Sequence, residues 1–382
     1  EAEPVVFTSS DQAGRAGQWG GIYAKNGTFE HVVVEYSSYG LKGRYLDVDN
    51  GVFRQSSGEG LRSEGSGSLN LKNSQVYENS SWGVYMNGAD RDGMVFENNI
   101  IKDNGGGVSL NMGRGFSFKN NEVIKNSNHG LYFNGSEGSR TYVIEGNTIK
   151  NNTGKGIVKE GCCGSSQTFK IKDNEVADNS GGGIKLQYPN YRSDSGTTEI
   201  NGNKLVSNGS FGLYVEGWEW DPSGGKLTVT DNTIQKNTGD GIYVRYHQSD
   251  VEFSGNLIEE NGGNGLHLNK NNRDNSRTSK SIIIKENTVR KNNGGESGIT
   301  VYYRSKAAVQ ILDNVVEEGS GYGLRIENDS DGVTGTITGN IVKNNQGIGL
   351  RTNGKLLPKV SGNTFDGNGN GLELIYTDLN AS

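Results

Sequence analysis

Four short segments in the middle of the chain hold the residue types best suited to chemistry. They are "YPNYRSDSG" from residue 188, "GWEWDPSGG" from 217, "YHQSD" from 246 and "YYRSKA" from 302. With the residues just before them they supply Tyr188, Tyr191, Tyr214, Glu216, Trp218, Trp220, Tyr243, Arg245, Tyr246, His247 and Tyr302, with Tyr303 alongside. Aromatic faces stack on the C–H surfaces of sugar rings, while charged groups bind hydroxyls or uronates. That mixture fits a shallow groove for a glycan chain. A second reading makes the same aromatics a ladder of cross-strand packing partners, as strand propensity predicts. Catalysis needs more: an acid and a base held across a bond, or a base beside a charge neutraliser. Glu216, Asp250 and Glu327 are carboxylates for the first arrangement, and Lys185, Tyr243, Arg245 and His267 a set for the second. Any polar face carries such residues, so the sequence assigns no catalytic residue.

The only two cysteines, Cys162 and Cys163, are adjacent in "EGCCGSS". Neighbouring Cα atoms lie about 3.8 Å apart, below the usual disulfide range, so a bond between them strains its own peptide. We expect a vicinal disulfide that stiffens the loop; two free thiols, or bonds to a second chain, are the alternatives. A metal site needs more ligands than this segment offers.

The elements that position these residues come from a repeat. Fourteen glycines, from Gly40, Gly60 and Gly83 to Gly349 and Gly371, are each followed by Ile, Leu or Val. About ten residues before each aliphatic lies an anchor: His31, Asn50, Ser74, Asn99, Asn121, Asn147, Asn174, Asn203, Asn232, Asn256, Asn287, Asn314, Asn340 and Asn363. Twelve of the fourteen are Asn, spaced 19 to 31 residues apart, and two residues past each anchor the side chain is apolar, as at Val33 and Val52. Each phrase contains short period-2 stretches such as "TFKIKDNEV" and "GIKLQ". One phrase cannot bury its aliphatics alone, so neighbours must stack. Strands stacked at about 4.8 Å make a solenoid, and fourteen coils would extend roughly 65 Å. The anchor Asn tolerates the left-handed conformation of a sharp corner, and amides one coil apart can bond to one another. The Gly before each aliphatic supplies another corner, or room for close backbone approach.

This pattern resembles the right-handed parallel β-helix family, the pectate-lyase-like superfold with "N-x-I…G-I" repeats, over residues 28 to 376. The fold expected is all-β, one single-stranded right-handed parallel β-helix of about 14 coils, with 1–27 as incomplete coils and 377–382 as a tail. The opening "PVVFTSSDQAGRAGQWGGI" resembles early coils of large secreted β-helix proteins, so we expect a segment of a longer chain with flanking domains. The resemblance implies polysaccharide lyases, hydrolases or epimerases, but also adhesins and junction proteins. The hydrolase signatures "N-T-D", "D-D", "G-H-G" and "R-I-K" and the epimerase "D-P-H-E" are absent. Lyases of this fold often hold calcium on an Asp cluster. The nearest candidates are "LDVDN", with Asp47 and Asp49, and "ADRDG", with Asp90 and Asp92. Both read equally well as solvated turns, and no cofactor is otherwise expected.

Composition narrows the partners. Gly is 60 of 382 residues, Pro only 4, and the net charge −6 with both signs mixed. Without a Lys/Arg stripe, nucleic acid is not an expected partner. No apolar run approaches the roughly 18 residues that span a bilayer, so direct membrane insertion is not expected. Seven N-x-S/T sequons, at Asn26, Asn79, Asn134, Asn151, Asn208, Asn328 and Asn380, are about what composition alone produces. The sequence reading is an extracellular, non-catalytic surface or matrix module that engages polysaccharide or protein partners along its aromatic and charged face. The alternatives are a polysaccharide-active enzyme, lyase or hydrolase, on the same face, and a purely structural spacer.

Overall fold

The computed structural model describes residues 3–11, 13–89, 91–111, 114–134, 138–161, 166–189, 195–217, 225–247, 249–270, 280–296, 298–303 and 307–376. They form an all-β parallel solenoid of about 13 turns, close to the fourteen phrases of the repeat, and no helix occurs among them. The chain divides into two compact units, Glu1–Cys162 with Phe169–Gly181, and Cys163–Thr168 with Gly182–Ser382.

Each turn contributes three short strands, and strands of the same kind stack in parallel as three faces. Face one holds the Gly–aliphatic steps. In the first unit its inward residues align as Leu41, Leu61, Val84, Val108, Leu131 and Ile157. In the second they align as Ile184, Leu213, Ile242, Leu266, Ile299, Leu324 and Leu350. Face two stacks Val48, Leu71, Phe96, Phe118 and Ile144 in the first unit. Face three stacks Val34, Phe53, Val76, Ile101, Val123, Ile149 and Val176. All of these residues are buried. Period-2 alternation sends their neighbours outward, which is why so low a hydrophobic content suffices.

Asparagine does two separate things at the corners. The left-handed residue is the one before the ladder amide: Asn73, Asn98, Asn120, Asp173, Asp231, Glu286 and Asp313 have φ near 50–60° and precede Ser74, Asn99, Asn121, Asn174, Asn232, Asn287 and Asn314. The anchor itself is free to bond. Asn121 donates from its backbone N–H at 2.8 Å and its amide at 3.0 Å to Asn147 Oδ1, and donates again to the Phe96 carbonyl at 3.0 Å. Its own Oδ1 accepts both equivalent bonds from Asn99. A second ladder, which the anchor alignment does not identify, follows the next corner through Asn79, Asn104, Asn126 and Asn152, and in the other unit through Asn208, Asn237, Asn261 and Asn292.

Two details of the expected alignment shift. His31 and Asn50 are themselves left-handed, so in those coils the ladder position falls one residue later and Phe53, not Val52, is the core residue. Gly51 therefore donates to Ser74 Oγ where later turns use an amide. The glycines of the Gly–aliphatic steps serve close approach rather than corners: a Cβ on Gly107 would collide with the Gly130 carbonyl of the next turn. Asn79 and Asn208, both in sequons, are buried ladder members, and Asn328 is buried as well.

Two lysines interrupt the apolar interior. Lys159 occupies the inward position that registers with Phe133, and its Nζ donates to the Gly161 carbonyl at 2.7 Å. Lys270 registers with Tyr303 and donates to the Ser249 carbonyl at 2.7 Å. Burial lowers both ammonium groups to about 7.

Asn121→Ala should destabilise the chain by at least about 1–3 kcal/mol, because it strands buried donors on Asn99. Asn98→Gly, at a left-handed position, should stay near neutral; denaturant unfolding of both variants checks this. For Lys159 and Lys270 the folded value lies below the unfolded value of about 10.4, so between those limits the unfolded chain binds the extra protons. Stability should therefore rise as pH climbs from about 7 toward 10, and Lys159→Met should flatten part of that rise.

Candidate functional site

The outward side of face one in the second unit assembles most of the expected residues and adds others. Cross-strand register places Tyr214 beside Tyr243, Tyr243 beside His267, and then Thr300, Arg325, Arg351 and Glu373. Two residues along each strand a second column runs Gln187, Glu216, Arg245, Asn269, Tyr302 and Glu327. Ring centroids are 5.5 Å apart for Tyr214–Tyr243, 4.7 Å for Tyr243–His267 and 5.7 Å for His267–Tyr302. A continuous aromatic track results, with Phe211 extending it at 5.3 Å from Tyr214. Beside it, Arg245 lies 4.4 Å from the Tyr246 ring centroid and 3.5 Å from Glu216. Tyr188, held in a left-handed turn, lies close enough to Glu216 and Arg245 to feel both charges.

Two acidic residues outside the expected set turn this track into a reactive-looking cluster. Asp240 and Glu296 sit in the turns just before the Gly241 and Gly298 steps, written "GDG" and "GESG". Glu296 accepts a 2.5 Å bond from the Tyr302 hydroxyl and a 2.7 Å ion pair from Arg325, and its second oxygen is 3.9 Å from His267 Nε2. Arg325 also pairs with Glu327 at 2.7 Å and lies 5.0 Å from the Tyr302 ring centroid. His267 Nε2 is buried and makes no hydrogen bond. Burial holds the imidazole below its ordinary value, although Glu296 and Asp240 both pull the other way. Burial likewise raises the Asp240 carboxyl despite the 2.7 Å bond it accepts from the Asn264 N–H. The Tyr302 phenol is pushed up by burial and by its bond to Glu296, and burial takes Tyr214 to about 12. An imidazole held below its ordinary value, its unbonded nitrogen near an arginine-paired carboxylate and within reach of the charge of a carboxyl held above its own, is an arrangement that can move protons.

Several expected residues lie elsewhere. His247 is 1% exposed and faces the interior, with Nε2 3.1 Å from the Gly225 carbonyl; burial, then the Lys270 charge, drives it down to about 3. It is not part of an exposed groove. Tyr303 is also buried, because the strand Ile299–Tyr303 turns it inward. Asp250 holds Ser281 through its backbone N–H and hydroxyl, at 2.7 and 2.9 Å, so it serves a turn. Tyr191, Trp218, Trp220, Cys162 and Cys163 lie outside the described residues. For calcium, no group of three or more acidic, His or Cys side chains comes together among the described residues. Asp47 and Asp49 each accept a neighbouring amide, from Asn70 and Asn73, and Asp92 pairs with Arg140 at 3.1 Å. Asp90 is outside the described residues.

A family model described as a right handed beta helix region matches residues 30–192, 187–334 and 223–382. The chain belongs to that family. Among solved structures this β-helix is similar to the A-module of mannuronan C-5 epimerase AlgE4 from Azotobacter vinelandii, with TM-score 0.45 and 14% identity over 96% of this chain and 87% of that one. The AlgE6 A-module of the same organism gives TM-score 0.32 and 12% identity, over 94% and 91%. Neither likeness bears on the chemistry of this β-helix. No curated protein matches it in sequence.

Imidazole NMR can follow the four histidines of the β-helix one by one. His267 should titrate below its ordinary value of about 6.5, and His247 should stay neutral to about pH 3. Glu296→Gln should lower His267 further, since the Glu296 charge raises it. A rise would contradict the geometry.

Proposed function

We propose that the second unit acts on a polysaccharide, with the Tyr214–Tyr243–His267–Tyr302 track as its binding floor and the Asp240–His267–Glu296 cluster as its acid–base centre. The observation that carries this is the unbonded, buried Nε2 of His267, 3.9 Å from Glu296 and within reach of the Asp240 charge, with the two carboxyl groups in contrasting environments. Pairs of titratable groups pushed apart in this way are the usual basis of acid and base roles. Asp240 protonates the glycosidic oxygen as the C–O bond breaks. His267 Nε2 takes the proton from the attacking water, or from a sugar carbon if the chain is cut by elimination. Tyr302, Glu296 and Arg325 position the imidazole. An extracellular setting goes with such a substrate.

A second reading keeps the glycan and removes the turnover. It is favoured by the closed network in which Tyr302, Glu296, Arg325 and Glu327 already satisfy one another. The β-helix is then a carbohydrate-binding or adhesive surface.

The test is incubation of the whole chain with a panel of neutral and acidic polysaccharides, following new reducing ends and unsaturated product. Turnover that falls about 100-fold or more in His267→Ala supports the enzyme. Binding without turnover, lost in Tyr243→Ala but kept in His267→Ala, selects the surface reading. Neither binding nor turnover on any glycan removes both.

A further inference from the structure

We infer that face two of the first unit carries a separate binding groove for an uncharged oligosaccharide, independent of the reading above. Two cavities of about 270 and 410 Å³ adjoin at Gly93. Their floor is the outward side of six successive turns: Thr28, Asp47, Asn70, Val95, Ser117 and Val143. These side chains are short, so they leave a channel about 24 Å long at strand spacing, the length of a four- or five-sugar segment.

The hydrogen-bonding capacity of the walls is unfilled and of complementary kinds. In the first cavity Asp47 and Asp49 are each held through Oδ1 by one amide, and the second oxygen of each has no donor among the described residues. Glu30 and Lys72 line the same cavity and form no ion pair among the described residues, although the next turns of face two close Lys119 onto Glu145 at 2.8 Å. In the second cavity Arg140 Nε is a buried donor with no acceptor. Unfilled acceptors at one end and an unfilled donor at the other call for a ligand that is both, which is the chemistry of sugar hydroxyls. Three carboxylates against one ammonium in the first cavity repel carboxylated or sulfated chains, and the Asp92–Arg140 pair in the second adds no net charge to attract them.

Calorimetry with cellohexaose, xylohexaose and mannohexaose, with hexagalacturonate as the anionic probe, tests this. The background is Tyr214→Ala, so that the face-one track does not contribute. At least one neutral hexamer should bind, and Val95→Trp, which fills the channel, should weaken it ten-fold or more. Asp47→Ala should do the same without added bulk, with circular dichroism confirming that both variants keep the fold. No neutral binding, binding indifferent to both substitutions, or a preference for hexagalacturonate would overturn the groove.

Discussion

A parallel solenoid must reverse its chain at every corner and still leave no buried amide unbonded, and asparagine meets that demand here. A corner residue in the left-handed region turns the backbone, and the next residue points an amide into the turn. That amide bonds to its equivalent one turn away, to the neighbouring backbone N–H and to a carbonyl of the preceding turn. The bond set repeats twice per turn in both units. Each member satisfies the one before it, so the stack is cooperative and tolerates few substitutions. Gly319 stands at one second-ladder position, and there only its backbone N–H donates to Asn345 Oδ1.

This scaffold leaves outward positions free while fixing where they point. Residues from different turns lie side by side at strand spacing, so a cluster such as His267, Glu296, Tyr302 and Arg325 is assembled from three turns without any long loop. Burial of that cluster follows from the aromatic rings above and below it, and burial is what holds His267 below and Asp240 above their ordinary values. The inward side shows the opposite economy: Lys159 and Lys270 are tolerated because each ammonium finds a backbone carbonyl, Gly161 just past its own strand and Ser249 of the neighbouring turn.

The repeat made the fold legible. Asn, an aliphatic two residues on and a Gly–aliphatic step are enough to place most inward and outward positions, including the adjacency of Tyr214, Tyr243 and His267. The reading failed by one residue at His31 and Asn50, because a corner residue and a ladder residue are both polar and only their φ separates them. It also took His247 for a surface residue, since alternation breaks where a strand ends and the chain turns under itself.

Asp240 and Glu296 show the limit most clearly. Each stands in a Gly-rich turn where acids are ordinary, and nothing in the local sequence says that one will be buried beside His267 or that Arg325 will reach the other. Sequence by itself determined the periodic elements, because burial alternation and corner chemistry are local and repeat every turn. Only the tertiary structure decided which outward groups meet, which are desolvated and which hydrogen-bonding atoms stay open, because those depend on distances between turns some 25 residues apart.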